Sequence, residues 1–277
     1  MYIGGVGSAG LHHLVWEVLD NSIDEAMNGH AGNIRVTLHK DGLSITVEDD
    51  GRGIPVDVHP KTKKSALEVI FTVLHAGGKF EAGNYKTAGG LHGVGASVVN
   101  ALSRDLVATV KRDGHQYEMS FKQGKPQGGI KKVGPARGTG TTVFFKPDPQ
   151  IFPKVEFEAQ IIRERLEIAS YLHRGVKVTF EDETTGQKDV YQHEEGLVDY
   201  LRKIVKDRNV KPVHEAPFTL EKESGVKLEL VLQWTESTDE NLRSYVNGIP
   251  TGSGGTHENG LRAGLGKARS EEHTSEL

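Results

Sequence analysis

Helical and hairpin signals alternate along the chain, and that mixture predicts an α+β fold. Three observations carry the prediction. Residues 11–29 form a two-faced helix pattern. Hairpin signals centre on Lys40-Asp41-Gly42 and Asp113-Gly114. Further helix patterns lie between the strand pairs. At 277 residues the chain has room for two domains or one large one.

In order, the pattern gives a helix over 11–29 stopped by Gly29, then strands over 34–39 and 43–48. A helix over 65–76 is closed by Gly77-Gly78. A glycine-rich stretch runs to Gly95 and feeds a helix over 96–103. Strands over 106–111 and 116–121 flank Asp113-Gly114, and a strand over 141–146 stops at Pro147. A helix over 157–172, strands over 176–181 and 190–193, and a helix over 195–206 follow. Pro212 and Pro217 mark a change, after which 226–234 alternates strictly and 242–246 reads as a strand. A domain boundary is expected near 195–215.

Composition excludes several classes. There is no cysteine, hence no disulfide, Cys-ligated zinc, iron–sulfur cluster or Cys nucleophile. A net charge of -4 gives no global basic footprint for nucleic acid. No apolar run approaches the roughly 18 residues of a membrane helix. Glycine is in excess, 34 residues, about 12% against an average of about 7%. The final residues, 269–277, read RSEEHTSEL and resemble translated sequencing adapter; they are expected to be an artefact.

With Glu17 at zero and about 100° per residue, Leu11, Val15, Trp16, Val18, Leu19, Ile23, Ala26 and Met27 share one side of the first helix. His13, Asp20, Asn21, Asp24, Glu25 and Asn28 share the other. The polar side is either a solvated face or a site. Three details favour a site: Glu17, Asn21 and Asp24 stack with His13 one turn earlier; no Lys or Arg occurs before Asn33; and Asn is a poor mid-helix surface residue. Carboxylate, amide oxygen and imidazole on one stripe suit a hard cation such as Mg²⁺ and a water.

Gly5-Val6-Gly7-Ser8-Ala9-Gly10 matches the dinucleotide fingerprint literally, but only four residues precede it and the required strand is missing. Asp49-Asp50-Gly51-Arg52-Gly53-Ile54-Pro55 follows a strand. It reads either as a plain turn or as a carboxylate offered to a polar ligand edge such as adenine N6, with Ile54 and Pro55 as an apolar wall. Gly77-Gly78-Lys79-Phe80 and Gly89-Gly90-Leu91-His92-Gly93-Val94-Gly95 bracket a lid-like loop. Their amides suit phosphate, with charge from Lys79 or Lys86. No Walker A sequence exists. Thr139-Gly140-Thr141 opens a strand and can offer a hydroxyl to a base.

These four pieces, in this order, resemble the motifs of the GHKL ATPases. Leu74 to Phe80, Gly89 to Gly95, Tyr245-Val246-Asn247-Gly248-Ile249-Pro250 and Gly254-Gly255-Thr256-His257 are similar to the ATPase subunits of type IIA topoisomerases, the B subunits of gyrase and topoisomerase IV. The Gly77 to Phe80 run and the Tyr245 to Pro250 string argue against a GHKL chaperone, mismatch-repair protein or histidine kinase. A non-catalytic scaffold is disfavoured by Glu17 and Asn21.

The resemblance implies a GHKL (Bergerat) two-layer α/β sandwich with a mostly antiparallel sheet over residues 1–197. A truncated transducer domain like domain 2 of ribosomal protein S5 is expected over 198–268. It implies that Glu17 is the general base, that His13 orients it, and that Asn21 ligates Mg²⁺. Asp49 is to accept the adenine amino group with Thr141, and Ile54 and Ile70 to flank the base. Gly77, Gly78 and Lys79, with Leu91, His92, Gly93, Val94 and Gly95, are to hold phosphate, and Tyr85 to approach ribose or base. Arg52 and Arg112 match positions used by coumarin antibiotics. ATP and Mg²⁺ are the implied cofactors. The implied partners are a second copy of the same polypeptide in an ATP-dependent dimer, gyrase A and DNA, with no membrane and a cytoplasmic location. The family's N-terminal arm and its second-domain catalytic lysine are expected to lie outside the chain, so the fragment is expected to bind ATP and hydrolyse it poorly.

Overall fold

A computed structural model describes residues 3–58, 63–74 and 94–275, the last few by backbone alone. Helix α1 (Ser8–Met27) buries Leu11, Val15, Val18, Leu19 and Ile23 of the apolar stripe, and Leu14 beside the polar side as well. It ends where Gly29 takes φ +76°, a left-handed stop that costs glycine little. Strands β1 (Asn33–Leu38) and β2 (Ile45–Asp49) pair antiparallel. Their turn is tied by the Asp41 carboxylate, which accepts from the Leu43 amide and the Ser44 hydroxyl.

Helix α2 (Ala66–Thr72) is started by Ser65, whose hydroxyl accepts from the Glu68 amide at 3.1 Å. It is shorter than the 65–76 pattern, because the backbone turns extended at Val73. Helix α3 (Gly95–Ala101) leads into β3 (Ser103–Arg112) and β4 (His115–Lys122). Asp113 and Gly114 both have positive φ, as a two-residue hairpin turn of this hand requires. The short strands β5 (Lys125–Pro126) and β6 (Lys131–Pro135) line the far edge of β4. The remaining elements of this region are β7 (Gly140–Pro147), α4 (Ala159–Leu172), β8 (Lys177–Asp182), β9 (Gln187–Tyr191) and α5 (Leu197–Asp207).

Nine strands form one sheet in the order β5-β4-β3-β7-β2-β1-β8-β9, with β6 also on β4. Its pairings are antiparallel except β1 with β8, whose parallel register runs from Asn33–Lys177 to Leu38–Asp182. A parallel neighbour needs a crossover, and α4, between β7 and β8, supplies it. Side chains alternate in and out along β2: Ile45, Val47 and Asp49 are buried, Thr46 and Glu48 are not. The helices therefore cover one face, giving the two-layer α+β sandwich expected. Phe71, Phe121, Phe145, Phe152 and Phe180 fill the space between the layers.

A second region follows: the hairpin β10 (Phe218–Ser224) and β11 (Val226–Leu232), the small hairpin β12 (Tyr245–Val246) and β13 (Ile249–Pro250), and α6 (Thr256–Ser275). The expected strand over 242–246 shrinks to Tyr245–Val246, because its partner is the two-residue β13 beyond the Asn247-Gly248 turn, which leaves 242–244 outside the ladder. Strand β10 and helix α6 were not anticipated; α6 runs on through residues 269–275. Tyr200 of α5 stacks on Tyr171 of α4 at 5.0 Å and meets the Tyr245 hydroxyl at 3.1 Å, joining the regions. Among the described residues no helix is long and apolar enough to cross a membrane.

Candidate functional site

The register of the sheet builds the site. Asp49 lies on the core-facing side of β2, in line with Ile45 and Val47, and stands directly opposite Thr141 of β7. A buried carboxylate must be satisfied by donors. Here Ser22 of α1 donates its hydroxyl to Oδ2 at 2.8 Å, and the Gly51 and Thr141 amides reach Oδ1 at 3.0 and 3.4 Å. Burial nevertheless pushes the Asp49 carboxyl above its ordinary range, against those hydrogen bonds. The Thr141 hydroxyl accepts from the Ile54 amide at 3.3 Å and pins the following loop.

Asp50, its neighbour, points the other way. It accepts from the Gly32 and Asn33 amides and the Asn33 side chain. Its partial burial would raise the carboxyl, but these donors hold it below the usual range. Of the two adjacent acids, Asp49 faces the site and Asp50 is structural.

Glycine is required at two closures. Gly53 (φ +76°) lies against the Lys111 carbonyl, where a Cβ would stand 2.7 Å away. Gly140 (φ +149°) lies against the Asp49 carbonyl, where it would stand 2.2 Å away.

On α1, His13 Nε2 and Glu17 Oε1 are 3.0 Å apart. A carboxylate only accepts, so the His13 nitrogen donates. That bond, opposed by partial burial, raises the His13 pKa. Gly95, at the start of α3, closes over the same carboxylate: a Cβ there would sit 2.1 Å from Glu17 Oε2. Asn21 donates its amide to the Glu17 carbonyl at 2.8 Å, which fixes which way its side chain turns. Asp24, read from sequence as the end of this stripe, is fully buried instead and faces inward.

His12, beside the dyad, is structural. Its Nε2 accepts from the Glu158 amide at 2.9 Å, so its Nδ1 carries the proton and donates to the Ser8 carbonyl at 2.8 Å.

Ile54 and Ile70 are half-buried against the core, and Val94 is buried. Arg52 grips Glu25 with Nη2–Oε1 at 2.7 Å and Nε–Oε2 at 3.1 Å, and Arg112 donates to the Gly53 carbonyl at 2.7 Å. Both arginines brace the Asp49 loop. Gly77, Gly78, Lys79, Tyr85, Leu91, His92 and Gly93 lie outside the described residues.

Sequence reasoning missed Ser22 and Glu25. Ser22 carried a signal: it falls inside the apolar arc of α1, where a hydroxyl needs a buried partner. Among the described residues no group of three or more His, Asp or Glu can hold a metal alone. Mg²⁺ needs only one or two protein oxygens beside phosphates and water, a requirement that Asn21 fits.

The sequence profile of histidine kinase-, DNA gyrase B-, and HSP90-like ATPases matches residues 7–151, the stretch holding the dyad, Asp49 and Thr141. A DNA gyrase B profile matches residues 196–274. The chain belongs to this ATPase class and, within it, to the DNA gyrase B family.

It is 47% identical over 275 residues to the DNA gyrase B protein of Archaeoglobus fulgidus, covering 98% of this chain and 43% of that protein. The gyrase B of Thermotoga maritima is also 47% identical, with the same coverages. The B component of the type 2 topoisomerase of Aquifex aeolicus is 46% identical, over 97% of this chain and 34% of that protein. The chain thus spans less than half the length of these relatives. Among solved structures, the 43K ATPase domain of Thermus thermophilus gyrase B, in complex with an aminocoumarin, superposes with a TM-score of 0.86. It is 38% identical, over 99% of this chain and 71% of that one.

Proposed function

We propose that this chain binds Mg-ATP, and hydrolyses it only poorly on its own, as the nucleotide module of a type IIA topoisomerase of the gyrase kind. The buried, donor-bound Asp49, tied through Ser22 to the same helix that carries the His13–Glu17 pair, supports this reading most directly. Asp49 accepts the adenine amino group beside Thr141, between the apolar sides of Ile54 and Ile70. Asn21 would hold Mg²⁺, which when bound neutralises phosphate charge. Gly77, Gly78, Lys79, Tyr85 and the 91–95 amides are assigned to the phosphates and ribose by their motifs. Glu17 takes a proton from water as the water oxygen attacks the γ-phosphorus. The bond to the β–γ bridging oxygen breaks, leaving ADP and phosphate. His13 orients the Glu17 carboxylate.

Residues 1–197 are the ATP-binding domain in this reading and 198–268 part of the transducer. In a full-length cytoplasmic enzyme, ATP would clamp two gyrase B protomers together and drive DNA passage with gyrase A. Arg52 and Arg112, by their positions in the motifs, are assigned to meet a coumarin-type inhibitor.

Calorimetric titration of a non-hydrolysable ATP analogue with Mg²⁺ tests this. Saturable binding to the wild type, lost by at least 100-fold in Asp49→Asn, is expected. Binding that Asp49→Asn leaves intact would move the base elsewhere.

A further inference from the structure

We propose that Arg165 of α4, paired with Asp20 of α1, is a positioning residue for the Glu17–His13 dyad; the inference rests on the ATPase reading above. Asp20 follows Glu17 by three residues and His13 by seven, so all three share one face of α1. Arg165 Nη2 reaches Asp20 Oδ1 at 3.4 Å, and its guanidinium carbon lies 5.9 Å from the Trp16 ring centre. The charged end is thus held from two sides. Both side chains are largely enclosed, at 17% and 21% exposure.

The Arg165 Nε is buried with no hydrogen-bond partner. A contact serving only to pack α4 on α1 is made at lower cost by apolar side chains, which leave no donor unmet. The arginine's charge is what the position uses. Two carboxylates one turn apart on a helix repel. Burial pushes the Asp20 carboxyl above its ordinary range and Arg165 pulls it back, so the pairing offsets the Asp20 charge and leaves Glu17 as the main negative partner of His13. Among the described residues, the charged groups acting on His13 are Glu17 and Asp20 from α1 and Arg165 from α4.

The test uses the 277-residue chain and three readouts. These are the His13 titration midpoint by NMR, the affinity for the Mg²⁺-ATP analogue, and single-turnover ATP hydrolysis. Arg165→Met should raise the His13 midpoint and Asp20→Asn should lower it, while the double variant returns close to wild type. Arg165→Lys, which keeps the charge, should leave the midpoint unmoved and guards against a misfolded Met variant. Analogue affinity should stay within about threefold throughout. Hydrolysis should slow about tenfold in each single charge-removing variant and recover in the double. A purely structural pair would instead give midpoints unmoved, or moved in one direction by both single changes, and that result overturns the inference alone. Failure of the wild type to bind the analogue overturns the ATPase reading and the inference with it.

Discussion

The hairpins β3–β4 and β10–β11 have similar length and regular antiparallel registers, yet opposite fates. In the first, Leu106, Ala108 and Val110 face Met119 and Phe121 beneath a helical layer, and all are buried. In the second, Phe218, Val226 and Leu228 are exposed at 52%, 76% and 44%. Up to Tyr200 the chain packs around one core; beyond it, none of the residues whose burial is described is buried. The alternation that makes a strand amphipathic is a demand for a covering layer and does not create one. Two strands alone hold marginally in water, so the second region leans on α4 and α5 through Tyr171, Tyr200 and Tyr245.

The sharpest way to break this comparison is a pair of truncations. Phe145→Ala, fully buried, should cost about 3–5 kcal/mol, whereas Val226→Ala should stay within about 0.5 kcal/mol. Urea unfolding curves measure both, and equal costs would show the second region to be as well packed as the first. Next is Gly95→Ala. Its Cβ would displace the end of a flexible Glu17 side chain, so stability should hold while hydrolysis falls roughly 10²–10⁴-fold, the range typical of a lost general base. Single-turnover rates beside a thermal melt separate the two effects.

Acid should then divide the regions. Burial, with the Arg165 charge in second place, holds His173 at about 4. A histidine lowered from 6.5 stays neutral when folded and binds its proton on release. Its folded contribution is therefore lost as pH falls from 6.5 towards 4. His173 abuts Gly248 in the turn between β12 and β13, so hydrogen exchange there should rise before the core opens. His173→Leu should abolish that early step. His13 has the opposite sign: its raised pKa stabilises below 6.5, and that contribution fades as pH climbs through the folded value. The smallest effect belongs to Arg174, which pairs with Glu221 and Glu229 across the joint from an exposed position. Arg174→Ala should cost about 0.2–1 kcal/mol, vanish in high salt, and speed exchange in β10 and β11 only.

What sequence discloses follows from how local the cause is. Turns at Lys40-Asp41-Gly42 and Asp113-Gly114 announce themselves, as does the stripe of α1, because each is set by neighbours in the chain. The motif residues His13, Glu17, Asp49 and Thr141 could each be named from the sequence as candidates. The contacts that join them, Ser22 to Asp49 and Gly95 to Glu17, arise between elements far apart in sequence. Strand β10 hid because Glu221, Lys222 and Glu223 dilute its alternation. The inward turn of Asp24 was also missed, since helical spacing gives an angle and not the identity of what packs there.

The parallel pairing of β1 with β8 sets an order of events. As the chain is synthesised, β2 receives its neighbour β7, and Asp49 its partner Thr141, once residue 141 is available. The other flank of that layer waits for residues 177–182 to meet 33–38. At about 5–20 residues per second the gap lasts roughly 2–8 s. Closing so distant a pair is slow for entropic reasons as well. During that interval β1 presents an open edge able to pair with another nascent chain, so the step that completes the sheet is also the one at which misassembly competes with folding.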